Sequence, residues 1–206
     1  MHAPPRGMAP RSRKGSDMRT ARWMTAAIAT ATLGVLVTTG AAQAQPSGGQ
    51  GALASYQGRT IDLSKGWQGA HTCAVFAQDD IRCYSTAAAG EKASGYERAT
   101  DRVALEAAEV GAAAIPACAN DWLCLYQFED GEGRRLIFQD EEWQNLDDYG
   151  FDNRTSSWRN NQGDSDTGRL AQYEDGSYSG WNIKLSAKGY ASEMGDKDNK
   201  ASSVHG

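Results

Sequence analysis

Two six-residue strings bring together oxygen donors of every kind: Asp152-Asn153-Arg154-Thr155-Ser156-Ser157 and, 46 residues later, Asp198-Asn199-Lys200-Ala201-Ser202-Ser203. A hard cation such as calcium takes six to eight oxygens from carboxylates, amides, hydroxyls and backbone carbonyls, at about 2.3–2.6 Å. Two Asx residues followed two positions later by hydroxyls supply each of those types. The same residues also cap turns through their side chains, so the strings admit a structural reading beside the metal one.

Nucleophilic chemistry has little to work with. Beyond residue 44 the chain holds two histidines, His71 and His205, so a Ser-His-Asp or Cys-His site lacks a partnered base and no enzymatic activity is expected. The acidic clusters Asp140-Glu141-Glu142 and Asp147-Asp148 read as solvated faces, because a glycosidase pair needs a large cleft around it. Asn153-Arg154-Thr155 spells a glycosylation sequon, read as incidental because it falls inside the first oxygen-rich string.

The four cysteines, Cys73, Cys83, Cys118 and Cys124, are even in number and locally spaced. Disulfides Cys73–Cys83 and Cys118–Cys124 are expected, each worth roughly 2–3 kcal/mol in the chain-entropy description. Their nine and five intervening residues do not match the C-x2–4-C of zinc clusters.

These groups must be carried to an oxidising compartment. Arg19 and Arg22 precede an uncharged run from Met24 to Gly40, and Ala42-Gln43-Ala44 is a small-x-small cleavage site. Residues 1–44 are therefore expected to be a secretory signal peptide, and Met18 offers a more ordinary start for it than Met1 or Met8. The apolar run is shorter than the roughly 20 residues a membrane span needs, so no span is expected after cleavage. The first 44 residues hold six basic residues and one acidic, leaving 15 basic and 25 acidic in the other 162. That surface repels nucleic acid and anionic lipid, which removes both as partners.

Composition then divides the rest. Residues 45–55 are Gly-, Ser- and Gln-rich and read as a flexible leader, with order starting near Tyr56. Residues 56–86 alternate short apolar runs with turns, and Gln78-Asp79-Asp80 suggests a hairpin stapled by Cys73–Cys83, a small β module. Residues 87–116 turn Ala- and Glu-rich. Tyr96, Ala99, Val103, Ala107 and Val110 fall on one helical face, Gly111 ends it, and the segment reads as a helical linker. Residues 117–206 are dense in Gly, Asp, Asn and aromatics with short alternating runs, an all-β domain.

The two oxygen-rich strings belong to a longer repeat. Tyr173 to Gly180 reads aromatic, four residues, aromatic (Tyr178), one residue, glycine, and Tyr126 to Gly133 keeps the first and last of these at the same spacing. A unit of about 46 residues has room for four short strands but no core of its own, so two units must pack face to face. The hairpin Tyr-x4-aromatic-x-Gly followed by (Asn/Asp)(Asn/Asp)-x-x-(Ser/Thr)-Ser resembles the βγ-crystallin motif. The first hairpin departs from it, since Gly131 stands where the second aromatic belongs, with Phe128 nearby to supply a ring.

The resemblance implies an all-β fold: a βγ-crystallin-like double Greek-key sandwich over 117–206, preceded by the hairpin module and the Ala-rich linker. It implies up to two calcium ions, cross-clamped by Asp152, Asn153, Ser156, Asp198, Asn199 and Ser202 with the carbonyls of Arg154 and Lys200, the fifth-position hydroxyl coming from the other unit. Ser157 and Ser203 are expected to hold the loops instead. The wider string Trp122-Leu-Cys-Leu-Tyr126, Phe138, Trp143 to Leu146, Tyr149-Gly-Phe151 and Ser156 to Asn160 is similar to secreted actinobacterial proteins classed with a metalloproteinase inhibitor family. It implies a secreted, extracellular, non-enzymatic peptidase inhibitor with an extracellular metalloproteinase as partner. The alternative is a calcium-binding structural or cell-envelope module without inhibitory activity. Oligomeric state is not legible.

Overall fold

The computed structural model describes residues 51–112, 115–174 and 180–206. The expected signal peptide, most of the leader and Tyr178 of the second hairpin lie outside them. The described residues belong to one compact unit.

Order begins before Tyr56. β1 (Leu53–Tyr56) and β2 (Arg59–Asp62) form a tight hairpin, so residues 53–55, expected in a flexible leader, are strand. Gln57 and Gly58 at its tip both have positive φ, 49° and 76°, the backbone a two-residue hairpin with right-handed twist requires. Ala54, Tyr56 and Ile61 point into the core, which is why the strand is held.

β3 (Thr72–Ala77) and β4 (Asp80–Tyr84) are the expected second hairpin, with Cys73 directly opposite Cys83 and bonded to it. This module is not a separate body. β3 runs parallel to β6 (Arg135–Phe138), and Trp67, Leu63 and Val75 share one apolar core with the C-terminal half. The indole Nε1 of Trp67 donates to the Tyr149 carbonyl at 2.7 Å, and its ring stacks on Phe151. Gly150 completes the join: its φ is 59°, and a Cβ there would strike the Leu63 carbonyl oxygen.

The remaining strands are β5 (Leu123–Tyr126), β7 (Trp143–Asn145), β8 (Ser157–Asn160), β9 (Gly168–Ala171), β10 (Asn182–Leu185), β11 (Tyr190–Ala191) and β12 (Ser203–His205). One sheet runs β11-β8-β5-β6-β3-β4-β1-β2 and the other β10-β9-β12-β7. Counting four strands per repeat, the third strand of each unit pairs in the sheet of the other: β7 lies on β12, and β11 on β8. The two Greek keys are thus interlocked, as the resemblance implies.

The linker departs from the expected single helix. α1 (Ala87–Ser94) stops at Gly95, whose φ of 77° is the left-handed C-cap that ends a helix, and α2 (Arg102–Glu109) restarts beyond a 3-10 turn. Tyr96 and Ala99 fall between them, and Val110 is 80% exposed. What the segment does is cover the second face of the large sheet. Leu123 and Leu125 of β5 face the main core, while Cys124 and Tyr126 join Ala74, Trp122 and Ile137 on the other side, against Tyr84 and Tyr96. Cys118–Cys124 ties the end of the linker to that face.

One buried ion pair locks the arrangement. Arg159 on β8 donates both terminal nitrogens to Asp101 at 2.6 Å each and also bonds the Pro116 carbonyl. Asp101 in turn caps α2 through the Ala104 amide and accepts from the Tyr96 hydroxyl. Burial opposes ionisation of Asp101, but these donors outweigh it and hold its pKa below the ordinary carboxylate value.

Candidate functional site

The two oxygen-rich strings become two loops related by the repeat, each leading into the last strand of its unit. Asn153 and Asn199 both have φ of 53°, a left-handed backbone that asparagine tolerates better than most residues. In each loop the Asx pair is closed by its own side chains, Asn153 Nδ2 donating to Asp152 Oδ2 at 2.6 Å and Asn199 Nδ2 to Asp198 Oδ2 at 2.8 Å. The loops also clamp each other: the Asn153 amide bonds the Ala201 carbonyl, and the Asn199 amide bonds the Thr155 carbonyl.

The anchors repeat too. Ser157 donates to the Phe128 carbonyl and Ser203 to the Tyr173 carbonyl, both at 2.7 Å. Ser157 also accepts from the Gly131 amide. These sixth-position serines hold the loop as expected. The fifth position behaves differently: Ser156 Oγ reaches Asn199 Oδ1 across the junction at 3.5 Å, so a hydroxyl of one unit stands beside the amide oxygen of the other.

Strand register corrects the alignment of the hairpins. Tyr126 faces Ser157 on β8, and the residue facing Ser203 from β9 is Ala171, so Tyr126 corresponds to Ala171 and not to Tyr173. The counterpart of Tyr173 is Phe128. Its ring sits over Gly133, where a Cβ would come within 2.6 Å, and the Tyr173 ring sits over Gly180 at 2.7 Å. Ring, glycine and serine anchor therefore recur in both units. The first hairpin is two residues shorter between ring and glycine, and the matching Tyr-to-Gly spacing read from sequence is a coincidence of that difference.

Whether the loops suit a cation can be judged from their polar atoms. Asp152 Oδ1 and Asp198 Oδ1 are both buried without a hydrogen-bond partner, at the same position of both units. An unpaired buried carboxylate oxygen is costly, and a cation is one way to compensate it. Among the described residues no three His, Cys, Asp or Glu side chains gather for a metal, so each loop offers one carboxylate with amide, hydroxyl and carbonyl oxygens. That donor set fits a hard ion and not zinc or copper. Asp152, Asn153 and Ser156 from one unit, Asp198, Asn199 and Ser202 from the other, and the carbonyls of Arg154 and Lys200 are the groups that would hold it. Bound there, the ion would fix both loops to each other.

The histidines are not brought together. His71 precedes β3 and lies 3.1 Å from the Thr72 hydroxyl, while His205 is on β12 of the second sheet, edge-on to Trp143. Burial lowers the pKa of His71, with the charge of Arg135 a smaller cause.

Beside the first loop lies a cleft of about 320 Å³ that sequence reasoning did not anticipate. It is lined by the 63–66 turn, Arg134, Asp147, Gly150, Asp152 and Arg154. Arg134 is fixed on its wall, its Nε donating to Gln127 at 3.0 Å and its guanidinium lying 5.2 Å from the Trp67 ring centre. Only the folded chain joins these residues, and no local pattern in the sequence marks them.

Interlocked Greek keys with twin Asx loops define a βγ-crystallin-like domain. Residues 111–185, from the end of the linker through β10, match the model of peptidase inhibitor family I36. Among solved structures the chain is similar to a beta gamma crystallin from Ciona intestinalis, with 25% identity, a TM-score of 0.34, and coverage of 41% of this chain and 96% of that one. It is also similar to the N-terminal domain of protein S (20% identity, TM-score 0.34, 41% and 92% coverage). A third similar structure comes from work on the evolution of the eye lens beta-gamma-crystallin domain fold (14% identity, TM-score 0.37, 43% and 86% coverage). No curated protein matches the chain. Among the described residues no helix is long and apolar enough to cross a membrane.

Proposed function

We propose that the protein is a secreted, non-enzymatic inhibitor of an extracellular peptidase, with a metalloproteinase as target and calcium stabilising the Greek-key domain. The observation that carries the inhibitor reading is the match of residues 111–185 to a peptidase inhibitor family. The physical support is rigidity. An inhibitor must present a surface that does not adapt, because ordering on binding costs affinity and a loose loop is cut. Two disulfides, the buried Arg159–Asp101 pair and a sheet covered on both faces provide that stiffness.

The calcium part rests on the paired orphan oxygens of Asp152 and Asp198. It also supports a second reading, a calcium-binding structural or cell-envelope module, which needs the ion but no protease.

Titration of the purified protein into a panel of secreted metallo- and serine peptidases, in calcium buffer, separates the two. Inhibition predicts a linear loss of peptide hydrolysis ending near an equimolar ratio, with the protein uncut and a metalloproteinase among the peptidases stopped. Unchanged rates across the panel would leave the structural module as the description.

A further inference from the structure

The cleft beside the first loop is lined by two arginines that form no ion pair. Arg134 and Arg154 both line it, and among the described residues neither has a carboxylate within ion-pair distance. The third cation of the lining, Lys65, is already paired with Asp62 at 2.8 Å. Arg134 is half-buried. Its pKa is lowered by that burial and, in smaller part, by the charge of Arg154, so the two guanidiniums sense each other across the cleft. Like charges held together on a rigid wall are unfavourable alone and become favourable when an anion bridges them.

Arg134 is also prepared for a ligand. Gln127 and Trp67 fix its Nε edge and its face, and Trp67 is itself locked by the Tyr149 carbonyl and the Phe151 ring. A guanidinium held this way loses little freedom on forming a bidentate contact. The cleft is open beside Gly66, where a Cβ would meet nothing within 4 Å.

We propose that this cleft is a binding site for a carboxylate group carried by a peptide, gripped between Arg134 and Arg154. The rest of the lining selects the charge. Asp147 and Asp152 stand on the same walls, so a monoanion is accommodated where a dianionic phosphate meets added repulsion. The site does not require inhibition, and because Asp152 and Arg154 also belong to the first oxygen-rich loop its test is run without calcium. It sits where the N-terminal module meets the Greek keys, and it exists only because the two are joined.

The test uses 15N-labelled protein in chelator and two probes differing in one group: N-acetyl-glycyl-glycine with a free carboxylate, and the same compound amidated. The acid should shift the Trp67 indole, Gly66 and Gly150 signals along saturating curves, and the amide should not. Arg154→Gln, at an exposed side chain, should weaken acid binding roughly tenfold or more, the loss of one charge-assisted contact, with the thermal midpoint unchanged. Equal responses to acid and amide, responses that rise without saturation, or saturation untouched by Arg154→Gln would overturn the proposal. Inorganic phosphate binding more tightly than the acid would overturn the assignment to carboxylate.

Discussion

Asp152 and Asp198 each use one carboxylate oxygen inside their own loop and leave the other buried and unanswered. An ion at these atoms binds the folded state alone, so it should stabilise by about 2.7 kcal/mol at a hundred times its dissociation constant. For a chain of this size each kcal/mol raises the melting temperature by about 2–4 °C. Scanning calorimetry in millimolar calcium and in chelator should therefore show a rise of several degrees with calcium. Ser156→Ala should reduce that rise, because its hydroxyl is the group that stands beside Asn199 of the other unit. Identical melting in both buffers would remove calcium from the description. The oxygen-rich strings were legible because residue type and spacing are all a loop of this kind needs. The buried oxygens were not, because burial depends on how two strings 46 residues apart close on each other.

The linker shows what short helices contribute when they are not the core. α1 and α2 are each eight residues, too short to be stable alone, and they are held by what they cover. Asp101 is the fastening, joining α2, Tyr96 and Arg159 at one carboxylate. Asp101→Asn should cost about 3–5 kcal/mol, since it leaves the Arg159 charge buried without its partner. The pH dependence follows from the lowered pKa. The contribution of Asp101 is complete above about 3.8, the ordinary Asp value, and is lost as pH falls through the depressed value in the folded state. Denaturant unfolding of wild type should thus weaken steeply below that pH, and the variant should lack this component. Helical spacing suggested one continuous face from Tyr96 to Val110, but α1 stops at Gly95 and Asp101 caps a new helix after a 3-10 turn, which leaves Tyr96 and Ala99 outside both helices. The Asp101–Arg159 pair spans 58 residues, and nothing local to either residue announces it.

Across the whole molecule, the small N-terminal hairpins are an extension of the crystallin-like sheet and not an appendage. Sequence reading separated them because composition changes sharply at residues 87 and 117, and composition does not reveal that β3 finds β6. Deleting residues through 86 would expose the β6 edge and the core face under Trp67 and Leu63. An open, apolar strand edge is a template for pairing with another chain. The shortened protein should self-associate more than the full chain in size-exclusion chromatography; a monodisperse, equally stable product would show that the Greek keys are self-sufficient.

The position of β12 sets an order of events during synthesis. It pairs with β9 on one side and β7 on the other, so residues 203–205 fill the middle of the smaller sheet. β9 and β7 cannot be bridged until the ribosome has made that stretch, and the first unit cannot finish alone because its third strand waits for the same partner. Contacts of such long sequence separation make folding slow and leave little to form on the growing chain. A polypeptide built this way stays threadable until residues 203–205 have been made, which suits the export proposed for it and which an earlier-closing sandwich would deny.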